Sequence, residues 1–505
     1  MLRVTSPQRE WLRTHITPEL LLVVGIVYLA ALLRFFALGE KSFWLDEATS
    51  ITIARLDWPS LVSAVMHQEP NMSLYYGLLH LWRHLGEREA TLRSLSAIAA
   101  VATIPTVYAI GRRAFDARVG LLAALFLAVN AFDIRYAQEA RSYALLVFLT
   151  SLATLALARS VERPSRSAWS GYVLISVASV YSHFFAALVL LAHVVSLAFL
   201  RRRILTTQAL ICLGLVALLT VPLGIAASHV TGAIGGIPKP SLPGIYYTLM
   251  AITGAGGWLL LLAYALACLL ACGPIWRAWT SASTSVEAWR YGVVVAWLLV
   301  PILAALGISL IKPVFSARYL VVCLPPLSIL AAIGVTRIRP RWASVGAAVA
   351  IVALSAHGIQ SYFVYFPKEN WRTATQFIIA QSRPTDAVLF YPPYVREPFD
   401  YYRDDTGHTD PTVVFPERPF VRALANPVTT PQQSVDAVVD ELPARYDRVW
   451  LVVGRNEMGT PDDLAGGRAL LARLTQPYPI VRTRRFFGIL VLLCAKPDYL
   501  GRKGP

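Results

Sequence analysis

The chain has 505 residues, 56% hydrophobic and 15% charged, with a mean hydropathy of +0.53. Soluble domains carry about 25% charged residues, so this composition excludes a disordered chain, a fibrous protein and an ordinary cytosolic enzyme. The net charge of +16 argues against nucleic acid as a partner once it is located: residues 1–362 hold 28 basic and 14 acidic groups, residues 363–505 hold 18 and 16, and an excess in the apolar part is what orients membrane spans.

After MLRVTSPQREWLRTH, residues Leu20–Leu38 form an apolar run long enough for about 30 Å of hydrocarbon. It lacks a small-residue cleavage site, so it reads as a retained first helix. Ten further runs follow: Leu95–Ile110, Val119–Ile134, Tyr143–Ala158, Trp169–Ser182, Phe184–Leu200, Ile204–Ala227, Gly254–Ile275, Tyr291–Ile311, Tyr319–Val335 and Trp342–Tyr362. The expectation is eleven spans, with Trp169–Ser182 either a span or half of a re-entrant hairpin. Arg34, near the end of the first, is expected to snorkel to the interface. With the N-terminus in the cytoplasm, the links on that side hold 17 basic residues, among them Arg3, Arg9, Arg13, Arg112, Arg113 and Arg201 to Arg203. The opposite links hold 10, five of them in one long loop, as the positive-inside rule requires. An odd number of spans puts everything after about Phe363 outside. There NWRTATQFIIAQ, SVDAVVDELPARY and GRALLARLTQ read as helices, and DAVLFYPP, RVWLVVG and RRFFGILVLL as buried strands. The expected architecture is a transmembrane domain over residues 1–362 and an extracytoplasmic α/β domain over 363–505, in the cell membrane. Cys494 alone falls in that second domain, and Cys268 with Cys272 lacks the further ligands of a metal set.

The first outer loop, residues 39–93, is long. LDWPSLVSAVMH, with Asp57 as N-cap, and SLYYGLLHLWRHLG, with Leu74, Leu78, Leu81 and Leu85 on one stripe, read as helices lying in the interface. Four polar constellations stand out. Asp46 and Glu47 form an adjacent acidic pair in KSFWLDEATS; Asp46 is either a helix cap with Glu47 in the positive first turn or a reactive carboxylate. Glu69 and Asn71 stand in HQEPNMSLYY. Arg135, Gln138, Glu139 and Arg141 crowd a short link in RYAQEARSYAL, as anchoring ion pairs or as a site. Lys312 and Arg318 stand in IKPVFSARY. Parity puts all four on the outer face. The combination suits an anionic lipid-linked donor: arginine holds a phosphate by charge-assisted pairing, and a carboxylate takes the proton of an incoming hydroxyl. A lipid phosphate leaves without a general acid, so one base suffices, unlike the two carboxylates of glycoside hydrolysis.

At these residues the sequence resembles the GT-C superfamily of membrane glycosyltransferases, near the protein O-mannosyltransferases and the lipid A aminoarabinose transferases (glycosyltransferase families 39 and 83). The resemblance rests on Asp46-Glu47 after helix one, EPNMSLYYGLLHLW, the Arg93-containing RSLSAIAAVATIPTVYAIGRR, RYAQEARSYAL and SARYLVVCLPPLSILAA, and covers most of Arg34 to Val335. It implies inverting transfer of a sugar from a polyprenyl-phosphate donor to a hydroxyl of a protein, lipid or glycan acceptor on the extracytoplasmic face. By position, Asp46 would be the base and Glu47 its helper or the acceptor's support. Glu69 and Asn71 would line the sugar pocket, with Tyr75, Gln138 and Glu139 as further substrate contacts. Arg135, Arg141 and Arg318, with Lys312, would bind the phosphate. Some branches use a divalent metal; here magnesium or manganese would fall to Asp46 and Glu69. Where many relatives carry a Pro-Pro-Leu step this chain has Asn71-Met72-Ser73-Leu74, so the resemblance does not name the sugar. A transporter or lipid flippase is the alternative, against which stand the gathering of polar groups at one interface and the lack of an internal repeat. A membrane-anchored assembly protein would not need eleven spans.

Overall fold

A computed structural model describes residues 17–200, 202–229, 237–280, 285–404, 406–417, 435–454 and 461–501. Arg3, Arg9, Arg13 and Arg201 of the orientation argument lie outside the described residues. The chain divides into two compact units: residues 1–38, 71–75 and 93–366 form one, and residues 39–70, 76–92 and 367–505 the other.

The first unit is a helical membrane body. Each of the eleven apolar runs is helical, but among the described residues seven helices are long and apolar enough to cross a membrane: Pro18–Phe35, Glu89–Ala114, Tyr143–Glu162, Trp258–Thr280, Val286–Ile308, Ala317–Arg337 and Arg341–Tyr365. Two bent pairs raise this to nine, Ala117–Ala128 with Ala131–Ala137 at 62° and Arg203–Leu219 with Val221–His229 at 43°. The remaining two runs give Arg166–Ser182 and Ala186–Phe199. At 1.5 Å per residue these rise about 26 and 21 Å, short of the hydrocarbon thickness, so eleven full crossings are not met by length among the described residues. A further helix, Leu242–Ile252, forms where no element was expected; Ser241 caps it, accepting the Gly244 N–H.

Side-chain chemistry explains the first bend. Asn130 Oδ1 accepts the Phe132 and Asp133 N–H groups, both at 3.0 Å, and so starts a new helix. Its Nδ2 donates to Ile252 O at 3.1 Å. Helices Trp258–Thr280 and Leu324–Arg337 touch backbone to backbone: a Cβ at Gly334 would lie 1.7 Å from Ala267 O. Arg34 departs from expectation. It does not snorkel but is fully buried, donating to the Asp133 carboxylate at 2.5 Å and to the carbonyls of Ala30, Leu127 and Ala128. At the bend Leu127 O still accepts the Asn130 N–H at 3.2 Å, and the guanidinium bonds it together with Ala128 O.

The second unit joins the outer loop to the tail. Its five strands are β1 (Ala387–Tyr391), β2 (Thr412–Phe415), β3 (Arg448–Gly454), β4 (Ile480–Phe486) and β5 (Ile489–Ala495), in the order β2-β1-β3-β5-β4. β1 runs parallel to β2 and β3; β5 is antiparallel to β3 and β4. Leu389, Leu451 and Leu492 face Val439, Leu442 and Leu470 of two helices. On the other side the Phe377 ring meets the Trp450 ring edge-on, centroids 6.1 Å apart. Two expectations change here. RRFFGILVLL is a hairpin rather than one strand: Phe486 pairs Ile489, and Gly488 takes φ +73° in the two-residue turn, where a left-handed residue is required. β2 and the helix Arg396–Asp404 were unforeseen. β4 is an exposed edge carrying Arg482, Arg484 and Arg485, charges that discourage pairing with another chain.

The loop is bound to the tail by side chains. Arg372 donates to Glu89 at 2.5 Å and to the carbonyls of Gly39 and Glu40. The Tyr402 hydroxyl donates to Glu89 at 2.9 Å and accepts the Phe43 N–H at 2.7 Å. Asp57 caps the helix Trp58–His67 as expected. That helix exposes Trp58, Val62 and Met66, and Leu81 and Leu85 are exposed farther on, apolar stripes of the kind interfacial helices bury in headgroups.

Candidate functional site

In the membrane unit, motifs far apart in sequence meet around the break between Arg166–Ser182 and Ala186–Ser196. The Tyr75 hydroxyl bonds Ser96 Oγ at 2.9 Å, and Ser96 Oγ donates to Arg141 O at 3.0 Å. EPNMSLYY, RSLSAIAA and RYAQEAR are thus tied by one relay. Asn71 reaches the break itself. Its Oδ1 accepts the Phe184 N–H at 3.0 Å, which turns its Nδ2 toward His183 Nε2 at 3.3 Å. His183 is 1% exposed and is ringed by Tyr143, Phe185 and Tyr319 at 5.6 to 5.8 Å between centroids. Burial, with Arg141 and Arg318 in electrostatic reach, holds the imidazole in its neutral form.

Arg135, Glu139 and Arg318 act on the neighbouring Tyr136. Arg135 Nε lies 3.6 Å from Glu139 Oε1, and its guanidinium stacks over Phe366 at 4.1 Å, geometry worth about 0.5–2 kcal/mol. Three expected cations, Arg135, Arg141 and Arg318, therefore gather in one neighbourhood with Asn71 and Glu139. Lys312 is exposed and forms no ion pair among the described residues. Gln138 is buried and serves the backbone: it donates to Arg34 O and Phe36 O and accepts from the Tyr362 hydroxyl. Tyr75 is fully buried.

The acid pair belongs to the second unit. The helix Leu45–Arg55 begins one residue ahead of Asp46, with Trp44 at the cap position. Asp46 is therefore not the cap, and both acids sit in the positive first turn. Asp46 is half-buried. Glu47 is fully buried and accepts from Lys368 Nζ at 3.2 Å, the lysine itself being 4% exposed. Glu369 Oε2 accepts the Leu45 N–H at 3.3 Å and Trp371 Nε1 at 2.7 Å. Glu69 is half-buried in the same unit. Two carboxylates suit magnesium, which is held by one or two such groups with waters and phosphate completing the shell; among the described residues no three His, Cys, Asp or Glu gather as a ligand set. Sequence reading missed His183, Ser96, Lys368 and Glu369. His183 was legible as the one polar break between two apolar runs, and Lys368-Glu369 as charges close behind the last.

The chain superposes on ArnT from Cupriavidus metallidurans, solved with undecaprenyl phosphate, at TM-score 0.60 and 13% identity over 93% of this chain and 97% of that one. It superposes on the Archaeoglobus fulgidus oligosaccharyltransferase AglB, solved with an inhibitory peptide and a dolichol-phosphate, at TM-score 0.54 and 11% identity over 98% and 75%. The chain has the GT-C fold. The family model of dolichyl-phosphate-mannose-protein mannosyltransferases matches residues 74–225, and no curated protein matches by sequence. The matched segment runs from the Tyr75 relay through Arg135, Arg141 and His183, so the likeness in sequence falls on residues gathered around the break.

Proposed function

We propose that the protein is an inverting glycosyltransferase that moves a sugar from a polyprenyl-phosphate donor to an acceptor hydroxyl on the extracytoplasmic face of the membrane. The observation that carries this reading is the gathering of Arg135, Arg141 and Arg318 beside Asn71 and the neutral His183 in a membrane body of GT-C fold. Guanidinium groups at membrane depth are expensive unless they serve a ligand or a partner, and a lipid phosphate is the anion that reaches them through the bilayer.

Asp46 takes the proton of the acceptor hydroxyl as its oxygen attacks the anomeric carbon. The bond from that carbon to the phosphate oxygen breaks, and the electron pair leaves on the polyprenyl phosphate, which Arg141 and Arg318 stabilise electrostatically. One displacement inverts the anomeric centre. Glu47 supports Asp46 from the same helical turn, and Glu69 and Asn71 contact the sugar. A magnesium or manganese ion would be held by Asp46 and Glu69 and would supply neutralising charge to the phosphate. The N-terminus is cytoplasmic and the α/β part extracytoplasmic in this reading. The test is incubation of purified protein in detergent with labelled polyprenyl-phosphate sugars and hydroxyl acceptors. Release of polyprenyl phosphate coupled to glycosylated acceptor supports the reading; movement of intact lipid without transfer would favour a flippase.

A further inference from the structure

Lys368 and Glu369 lie about 320 residues from the acid pair in sequence, yet both act on the turn that carries Asp46. Lys368 places an ammonium against Glu47, and both side chains are almost completely withdrawn from solvent. Charges are left in such a place only when paired, because removing one strands the other. Glu369 accepts the N–H of Leu45, the residue immediately before Asp46, and is itself fixed by Trp371 Nε1. Leu45 N–H is one of the donors that a helix start leaves without an internal partner, and the cap residue Trp44 offers no side-chain acceptor. The two consecutive tail residues therefore grip the first turn on both sides of Asp46, one at the position before it and one at the position after. Arg372, four residues on from Lys368, extends the grip to Gly39, Glu40 and Glu89.

We propose that Lys368 and Glu369 are positioning residues that set the orientation of the Asp46 carboxylate, so that the start of the α/β part is needed for the transfer step itself and not only for recognising an acceptor. This rests on the reading of Asp46 as the base. It assigns Glu47 to holding Lys368 rather than to proton transfer. A carboxylate displaced by about 1 Å loses on the order of 10²-fold in rate while every group that binds the donor phosphate is kept.

The test compares Lys368→Met, Lys368→Arg and Glu369→Ala, purified and sorted by size exclusion so that only folded protein is assayed. Lys368→Met is expected to lower kcat by roughly 10²-fold with donor KM within about twofold, and Lys368→Arg to restore most of kcat because the charge is kept. Glu369→Ala removes the acceptor of the Leu45 N–H and of Trp371 Nε1 and is expected to lower kcat by roughly tenfold, again without moving donor KM; it decides the matter on the same criterion should Lys368→Met fail to fold. Wild-type kcat in the folded variants, or a loss confined to donor KM, overturns the proposal while leaving the glycosyltransferase reading in place. A wild-type protein that transfers no sugar from any polyprenyl-phosphate donor overturns that reading, and the proposal with it.

Discussion

Replacing Asp133 with leucine isolates the energetics of the membrane body. Asp133 is 4% exposed and accepts from Arg34, which is 0% exposed. The variant leaves a buried guanidinium with the carbonyls of Ala30, Leu127 and Ala128 as its remaining partners among the described residues. Breaking a buried pair from one side costs about 3–5 kcal/mol, two to four orders of magnitude in the ratio of folded to unfolded protein. Replacing both partners in Arg34→Leu/Asp133→Leu removes the stranded charge. The double variant recovers only part of the loss, because the Ala128 carbonyl at the helix bend then loses the guanidinium donor, at about 1–3 kcal/mol for a buried group left unsatisfied, whereas Leu127 O keeps the Asn130 N–H. Thermal unfolding of the purified proteins in one detergent, followed by aggregation and by helical circular dichroism, gives the order wild type, double variant, Asp133→Leu. An Asp133→Leu protein as stable as wild type, or a double variant less stable than the single, refutes the reasoning.

Three further outcomes follow from the geometry. Burial alone would raise the Glu87 carboxyl, but Arg55 and Arg83 outweigh it and hold it below the ordinary carboxylate range; the stability it contributes is present above that range and is lost as the pH falls through its lowered folded-state value. Protection of residues 83–92 against hydrogen exchange, taken relative to the intrinsic exchange rate at each pH, should therefore fall below about pH 4, and Glu87→Gln should abolish that acid step; an unchanged profile contradicts the pairing. Arg141→Ala and Arg318→Ala should each weaken binding of polyprenyl phosphate by roughly ten- to a hundredfold, on the scale of a charge-assisted bond, whereas Lys312→Ala should change it less than threefold; equal effects of all three would dissolve the distinction between the gathered arginines and the exposed lysine. For a metal ion at Asp46 and Glu69, transfer should fall on chelation, return with magnesium or manganese, and need more metal in Glu69→Ala, read as the concentration giving half-maximal rate; transfer indifferent to chelation removes the ion.

Much of the membrane body is legible from apolar runs because hydrophobicity needs no tertiary partner to be read. All eleven runs are helices. What the runs do not carry is where a helix breaks, since that is decided by single polar side chains such as Asn130 and by the partners they find elsewhere. Arg34 was misread for the same reason: its partner Asp133 is 99 residues away, and a lone cation near a helix end reads as snorkelling. In the tail, the strong β propensity of RRFFGILVLL hid the turn at Gly488, which only a left-handed glycine reveals. Within the candidate site, Arg135, Arg141, Arg318 and Asn71 were named from residue type and parity and do gather. His183 and Lys368 were passed over, because a neutral histidine and a buried lysine acquire meaning only from neighbours that the chain brings in from far away.

The central claim is that Asp46 takes the proton of the acceptor. Asp46→Asn keeps the size of the side chain and removes its basicity, so the rate of sugar transfer from a polyprenyl-phosphate donor, measured on folded protein beside donor binding, tests it most directly. The account predicts a fall of roughly 10²–10⁴-fold in transfer at saturating donor. Wild-type transfer by the asparagine variant would contradict it.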